Sequence, residues 1–401
     1  MRVCTEFHAV GQGLFSFGVL FDGRYPAFTW VYDCGSTSDK LGLDKAIAAL
    51  GRPQYDKPYY PHWPRQVLDL VVLSHFDRDH VNGFTNLMAK FRVDTLLIPL
   101  VPFARRLEVL FTTPGYVDKA SAQFLLDPVE TIRQRYGDRV RQIVLVPPSD
   151  GEESSIGDDE PFDPPPSEPT NDDNDSWPKS QIRVSKGWHR MGEFEGTSGP
   201  PVYLLSEGAR LRASADWEFI PYVEPWAFTQ IGHHFRLKAE MLIEVLLDTS
   251  SAKEHVRKAA LKRLKEHYES VFDNPEKKNR ISLFLYGGRI HWPRKHYPLI
   301  TLLYCGDGDL SSASSWDSLE RYLTKGRLSN LRVLQVAHHG SKNSWHPGLA
   351  NAISPNYAVF SADRSYQHGH PDQEVEQDFA GVARTHVTGK HKGGNPCIFL
   401  G

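Results

Sequence analysis

The chain has 401 residues, 40% of them apolar and 24% charged, with a formal net charge of -3. That balance belongs to a globular protein and excludes a disordered or collagen-like chain. No apolar run reaches the length of a membrane span, the start MRVCTEFHAVGQG lacks the apolar core of a signal peptide, and Cys4, Cys34, Cys305 and Cys397 form no CxxC pair, so the expectation is a cytoplasmic protein with reduced thiols.

Residues 2–10 and 13–21 are apolar and alternate weakly around Gly11-Gln12-Gly13, as two strands joined at a glycine turn would. Residues 27–33 form a third strand, which ends in Asp33-Cys34-Gly35-Ser36. His8 reads as structural. A short amphipathic helix is predicted over 39–50 and a Pro- and Tyr-rich loop over 52–64. Val67 to Leu73 is an apolar, β-branched run and reads as a buried strand.

That strand ends in Ser74, and four possible metal ligands follow within six residues: His75, Asp77, Asp79 and His80. A strand with its polarity gathered at its C-terminal end places those groups at the rim of a sheet, where α/β folds keep their sites. So many ligands side by side repel one another or bury unpaired polar atoms unless a cation neutralises them.

A helix is predicted from Asn82 to Lys90 and a strand from Val93 to Leu100. Residues 119–136 have helical periodicity, Gly137 sits at the C-cap position, and Arg139 to Val146 is another strand. Residues 147–178 then carry eleven acidic side chains and no Lys or Arg, leaving the rest of the chain at +8 (46 basic against 38 acidic). A basic remainder is compatible with a polyanionic substrate. With eight prolines and almost nothing apolar, the stretch 147–180 is predicted to be a disordered loop within a single domain spanning 1–401.

The segment 181–278 is read as an insertion of unknown role. Residues 201–223 look β-like, and helices are predicted over Phe235–Leu247 and Ala252–Val271, the second with a basic face that reads as solvated. His233-His234 is a candidate further ligand with nothing around it in support.

The last third is richer in motifs. A strand starts at Asn279-Arg280-Ile281-Ser282-Leu283, and Leu299 to Tyr304 is another, running into Cys305-Gly306-Asp307. Asp309 reads as an N-terminal residue of a helix over 314–325. Leu331 to Ala337 is a strand that leads into His338-His339-Gly340-Ser341-Lys342-Asn343-Ser344, where the glycine, the backbone N–H groups and the hydroxyls of Ser341 and Ser344 could hold a phosphate. Pro355 to Ser361 is a further strand, followed by Tyr366-Gln367-His368-Gly369-His370-Pro371, and Thr385 to Leu400 reads as a closing hairpin with Gly393-Gly394 at its turn.

The stretch SHFDRDHVNG resembles the HxHxDH signature of the metallo-β-lactamase superfamily, with Asp77 in place of the second His. The form SHxDxDHxxG is closest to the branch known from the soluble domain of the competence DNA-uptake protein ComEC. VGQG … YDCGS, NxxSL, a strand ending in GD at Asp307, HHGSxxS and the His370-Pro371 dipeptide resemble further motifs of that branch, and Asp372 replaces the second His of the last one. The likeness covers roughly 1–100 and 279–401.

The resemblance implies an αββα sandwich. It places His75, Asp77 and a third group on one divalent ion, and Asp79, His80 and His338 on another, with His339 the second choice for His338. It makes Asp307 the bridge and Asp33 a brace of the metal loop. It implies that the two ions activate water for attack on a phosphodiester in DNA, RNA or a nucleotide, with no membrane partner. Asp79 and His370 are the catalytic candidates, His370 as general acid or phosphate contact, and His339, Ser341, Ser344 and His368 the substrate-binding ones. Exchange of His for Asp77 hardens the first site, which favours manganese, with zinc or magnesium as alternatives. The competing readings are a metallo-hydrolase of another class (lactonase, thioesterase or β-lactamase) and a non-catalytic binding protein.

Overall fold

A computed structural model describes residues 2–23, 25–50, 66–103, 106–107, 119–149, 162–163, 180–214, 216–225, 233–247, 254–269, 282–290, 301–367, 369–390 and 397–400. The strands in chain order are β1 (Arg2–Phe7), β2 (Phe15–Asp22), β3 (Tyr25–Cys34), β4 (Val67–Val72), β5 (Arg92–Pro99), β6 (Val140–Val146), β7 (Phe162–Asp163), β8 (Arg183–Ser185) and β9 (Trp188–Arg190). There follow β10 (Val202–Leu205), β11 (Leu211–Ser214), β12 (Trp217–Val223), β13 (Leu283–Arg289), β14 (Leu302–Tyr304), β15 (Val333–Gln335), β16 (Tyr357–Phe360), β17 (Arg384–Val387) and β18 (Cys397–Leu400).

They form two sheets of nine strands, ordered β18-β1-β2-β3-β4-β5-β6-β10-β9 and β17-β16-β15-β14-β13-β12-β11-β8-β7. Strict alternation along each strand makes the layers. Phe28, Trp30, Tyr32, Leu70, Val72 and Leu97 of the first sheet meet Trp217, Phe219, Leu283, Leu285, Leu302, Tyr304, Val333 and Val359 of the second. The residues between them point outward. Val31 and Val71 pack under the helices Lys40–Ala49, Phe84–Lys90 and Pro128–Tyr136. Phe284, Leu303, Leu334, Ala358 and Phe360 pack under Ala313–Leu323, Leu349–Ile353 and Gln373–Asp378. The architecture is the expected αββα sandwich.

A polar knot joins the two sheets beneath one edge. The Tyr304 hydroxyl lies 3.0 Å from Thr5 Oγ1 and 2.9 Å from Ser16 Oγ, and it accepts from Trp30 Nε1 at 3.1 Å. Tyr32 stacks on Tyr304 with ring centroids 4.4 Å apart and donates to the Leu283 carbonyl at 2.6 Å. Buried hydroxyls need such partners, and these partners come from both sheets. Tyr32 precedes Asp33, and Tyr304 precedes Cys305-Gly306-Asp307, so the knot fixes the spacing of the two strand ends that carry the site.

Several sequence expectations change. The helix expected over 119–136 is two helices, Lys119–Leu126 and Pro128–Tyr136, because Asp127 caps the second by accepting from Glu130 N and Pro128 takes its first turn. Gly137 has φ -61°, so it is not a left-handed cap. The predicted helix over 82–90 is preceded by a separate turn, Arg78–Val81, and starts at Phe84. Ser312, not Asp309, caps the helix Ala313–Leu323.

The expected closing hairpin does not exist: β17 pairs with β16 at the edge of the second sheet, whereas β18 pairs with β1 in the first. Two short strands either side of a glycine pair look like a hairpin in sequence, but here the chain passes from one layer to the other. The segment 181–278, read as an insertion of unknown role, carries both strands and helices. It supplies β8, β11 and β12 to the second sheet and β9 and β10 to the first, and then the helices His233–Leu247 and Glu254–Glu269. In the acidic stretch expected to be disordered, Phe162–Asp163 pairs with β8; residues 150–161 and 164–179, the loop expected at 52–64 and the Gly393-Gly394 turn lie outside the described residues. No helix among the described residues is long and apolar enough to cross a membrane. Cys4, Cys34 and Cys305 are buried free thiols.

Candidate metal centre

Parallel pairing aligns the C-terminal ends of the strands that carry the motifs. Tyr32 lies opposite Val72 in β3 and β4, and Tyr304, Gln335 and Val359 lie in line in β14, β15 and β16. The loops that leave these ends converge. At their meeting point Leu283 N donates to Ser74 O at 2.8 Å, and a Cβ on Gly306 would stand 2.7 Å from Ser74 Cβ. Only glycine suits that approach and the φ of 53° that goes with it.

The first loop is held by Asp33. Its carboxylate is fully buried and accepts from Ser74 N at 2.6 Å, Ser74 Oγ at 2.6 Å and His80 Nδ1 at 2.7 Å. Burial lifts its pKa, and His80 and Ser74 partly offset this. Because Ser74 Oγ spends its proton on Asp33, it accepts from His75 Nδ1 at 2.9 Å. Both imidazoles therefore donate from Nδ1 and turn Nε2 toward the site. Asp33 adopts φ 54°, a strained conformation for a non-glycine residue, to do this.

The second loop is held by Gln335, whose Oε1 accepts from Cys305 N and Gly306 N at 2.8 Å each, and whose Nε2 donates to Val336 O at 2.7 Å. Ser282 Oγ accepts from Asp307 N at 3.1 Å. His339 Nδ1 donates to the Ser361 carbonyl at 2.6 Å, which turns Nε2 inward, where it pairs with Asp79 Oδ2 at 3.1 Å. His338 Nδ1 lies 2.7 Å from Ser344 Oγ.

The inward-facing atoms are close. His80 Nε2 is 3.0 Å from Asp307 Oδ1, and His339 Nε2 is 3.1 Å from Asp79 Oδ2 and 3.5 Å from Asp307 Oδ1. His75 Nε2 is 3.8 Å from Asp77 Oδ2 and 3.7 Å from Asp307 Oδ2, and His338 Nε2 is 3.8 Å from Asp307 Oδ2. Two ligand atoms each about 2.1 Å from one ion stand about 3.0 Å apart at a right angle and about 3.4 Å apart at the tetrahedral angle. The 3.0 and 3.1 Å separations at His80 and His339 fit that range, and the 3.5 to 3.8 Å ones are wider. His75 Nε2, His80 Nε2 and Asp307 Oδ1 are buried without a hydrogen-bond partner, a costly arrangement that a cation resolves. The ligand atoms of His75, His80 and Asp307 form one convergent group, and those of Asp79, His80 and His339 another. The residues present fit divalent ions.

The electrostatics point the same way. Burial, reinforced by His80, pushes His75 down to about 3, so its imidazole is neutral. Burial, with Asp79 and Asp307 close by, pushes Asp77 up to about 7. Burial opposes ionisation of Asp307 and Asp79, but the neighbouring histidines, His80 foremost, win: Asp307 lies well below the carboxylate range and Asp79 falls to about 2. Burial likewise opposes charge on His80 and His339, yet Asp307 with the other carboxylates raises both. Burial lowers His338.

The remaining candidates divide. His370 stands at the rim, its ring centroid 6.2 Å from that of His338 and its Nδ1 3.7 Å from Asp372 Oδ2. Ser341 and Ser344 are buried, with Ser341 Oγ accepting from Asn343 N and Ser344 Oγ paired to His338, so both hydroxyls serve the loop itself. His368 lies outside the described residues. His234 is exposed on its helix and belongs to neither convergent group among the described residues. His8 stacks on Phe15. Sequence reasoning passed over Gln335 and Ser74 as working parts. A glutamine inside the apolar run Val333-Leu334-Gln335-Val336 was the available signal, because a polar group buried in a strand must have a partner.

No family model matches the chain, and no curated protein matches it. Among solved structures it is similar to a long form RNase Z from yeast, 9% identical over 96% of this chain and 40% of that one, with a TM-score of 0.35. It is also similar to a diphosphatase from the PhnP family, 9% identical over 100% of this chain and 98% of that one, with a TM-score of 0.36. The chain thus spans 40% of the yeast enzyme's length, and likeness at these scores adds nothing to what the two sheets and the convergent side chains show on their own.

Proposed function

We propose that the chain is a metal-dependent hydrolase of the metallo-β-lactamase type that cleaves phosphodiesters in a nucleic acid or nucleotide. The observation that carries the reading is the set of buried Nε2 atoms of His75, His80 and His339 converging on the carboxylates of Asp79 and Asp307. His75, Asp77, Asp79, His80, Asp307 and His339 would hold two divalent ions. Such ions supply an activated water and neutralise charge on a phosphate oxygen.

The chain's own residues do the rest. Asp33 and Ser74 hold the imidazoles of His80 and His75 in the tautomer that can ligate. Asp79, kept ionised beside His339, acts as a ligand. Asp307 serves both groups. His370, whose ring stands 6.2 Å from that of His338, carries the proton for the leaving oxygen. Asp77 adds a hard oxygen donor where a second histidine would be softer, which favours manganese over zinc.

The test is a screen of metal-stripped protein reloaded with manganese, zinc or magnesium. DNA, RNA, a generic phosphodiester ester and a lactone are the substrates. The expected result is phosphodiester turnover, fastest with manganese. Lactone hydrolysis alone would move the protein to another hydrolase class, and no turnover of any substrate with any metal would leave it a binding protein.

A further inference from the structure

We propose that Asp363 is a positioning residue: it clasps the two sheets together behind Asp79 and His339 and so sets the distance between those two side chains. The proposal rests on the metal-centre reading and adds to it a part that touches no ion.

Asp363 lies just past β16, on a loop of the second sheet, and is buried. Four donors among the described residues meet its carboxylate. Oδ1 accepts from Ser365 N at 3.0 Å and from Ser365 Oγ at 2.6 Å, both on its own loop. Oδ2 accepts from Ser38 Oγ at 2.7 Å and stands 3.0 Å from Lys390 Nζ. Lys390 follows β17 in the same sheet, whereas Ser38 follows β3 in the other. Gln12 N in turn donates to Ser38 Oγ at 2.8 Å, and Gln12 Oε1 accepts from Asp363 N at 3.4 Å. Gly11 N donates to Gly389 O at 2.7 Å. The glycine turn of the first sheet is thus tied to the loops that leave β16 and β17. Desolvation opposes charge on Asp363, but Ser365, Ser38 and Lys390 prevail and hold it at about 2, so the clasp stays charged across the neutral range.

Each end of this tie stops at the back of a candidate ligand. On the first sheet Leu14 N donates to the Asp79 carbonyl at 3.1 Å, and a Cβ on Gly13 would stand 2.7 Å from that same oxygen. On the second sheet the Ser361 carbonyl accepts from His339 Nδ1 at 2.6 Å. At the front, Asp79 Oδ2 and His339 Nε2 are 3.1 Å apart. The links close a ring from Asp79 through the glycine turn, across Ser38 and Asp363, and back through Ser361 to His339.

Ligands of one ion must stand about 3 Å apart, and here they come from different sheets. Apolar contact between the layers is non-directional, so it leaves such a separation loosely set. Hydrogen bonds are directional and set it closely. The knot at Tyr304 does this beneath the strand ends that lead to Asp33 and Asp307. The clasp at Asp363 does it for Asp79 and His339.

The test uses the full chain, stripped of metal and titrated with manganese. Ser38→Ala cuts the bond that crosses between the sheets, and Ser365→Ala cuts a bond of the same carboxylate within its own loop. Manganese affinity should fall about tenfold in Ser38→Ala and in Asp363→Ala, as it does when the outer support of a ligand is lost. It should be unchanged in Ser365→Ala, and in Ser38→Thr, which keeps the hydroxyl. In the metal-free protein the Nδ1 proton of His339, followed by NMR, should exchange faster with solvent in Ser38→Ala and at the unaltered rate in Ser365→Ala. Ser38→Ala covers the case in which Asp363→Ala fails to fold. The proposal is overturned if Ser38→Ala leaves both affinity and proton exchange as they were. It is equally overturned if Ser365→Ala shifts them as far, since any loosening of the loop would then suffice. An unaltered chain that takes up no manganese, zinc or magnesium would sink the metal reading, and exchange of the His339 proton would then judge the clasp by itself.

Discussion

The two rims of the sandwich build their halves of the centre in opposite ways. On the first sheet the proposed ligands His75, Asp77, Asp79 and His80 lie on one short loop with no positive φ, and the strain sits on Asp33, at φ 54°. On the second sheet Asp307, His338 and His339 come from two strand ends. There the strain sits on the ligands themselves, and the brace is an ordinary strand residue, Gln335. The braces differ in charge as well. Asp33 is an anion that polarises His80, whereas Gln335 is neutral and touches only backbone. The first rim is tuned electrically and the second is set by backbone geometry.

The most severe way to break this contrast is to remove the residue the halves share. Asp307→Ala should abolish turnover and strip both ions, read as metal content per chain, because each oxygen of Asp307 faces a different pair of histidines. Full activity in that variant would end the two-ion account.

The braces separate the rims more finely. Asp33→Ala should lower metal affinity about 10–100-fold, because His80 loses the acceptor that fixes its tautomer. Gln335→Ala should instead lower stability by about 1–3 kcal/mol, measured by denaturant titration, because it leaves Cys305 N and Gly306 N buried without an acceptor. Its effect on metal affinity should be smaller than that of Asp33→Ala. Equal affinity losses would mean that both rims depend on geometry alone.

The mildest probe is pH. In the metal-free protein Asp77 is held up to about 7 and His80 and His339 are raised, so binding of a cation must displace protons from these groups. A group with a raised pKa gives up its proton more readily as pH climbs. Apparent metal affinity should therefore rise with pH, by up to about tenfold per unit for each proton displaced; the share of Asp77 levels off above pH 7, and that of His80, raised well above its ordinary value, continues beyond it. Calorimetry in two buffers of different ionisation enthalpy would count the protons released. No release would mean that these groups are already deprotonated.

The same contrast sets what could be read from sequence. The candidate groups of the first rim stand out in sequence because they are contiguous, after a β-branched strand that could only be buried, and Asp33 closes the neighbouring strand. The second rim was legible only in part. Asp307 and the His-His pair stood out, but which ring faces which carboxylate depends on two φ values that no pattern of residue types encodes. Ser341 and Ser344 looked like phosphate donors because hydroxyls beside a glycine usually face solvent; here they are turned inward to shape the loop. The role of 181–225 was hidden for another reason. Strands β8 to β11 have only three or four residues each, and β8 to β12 join two different sheets, so the β-like pattern does not reveal which layer each enters. The false hairpin at the end shares this cause.

The antiparallel pairing of β1 with β18 sets Cys4 opposite Leu400. β1 therefore keeps one flank bare until a strand far along the chain is placed beside it. Until then the row of amide groups along that flank is open to pairing with any other extended chain. Contacts of such long sequence separation form slowly. A nascent or truncated chain lacking 397–400 thus carries a sticky border just outside the layer that holds Asp33 and His80, and its failure would show as self-association during expression and not as a poorer catalyst.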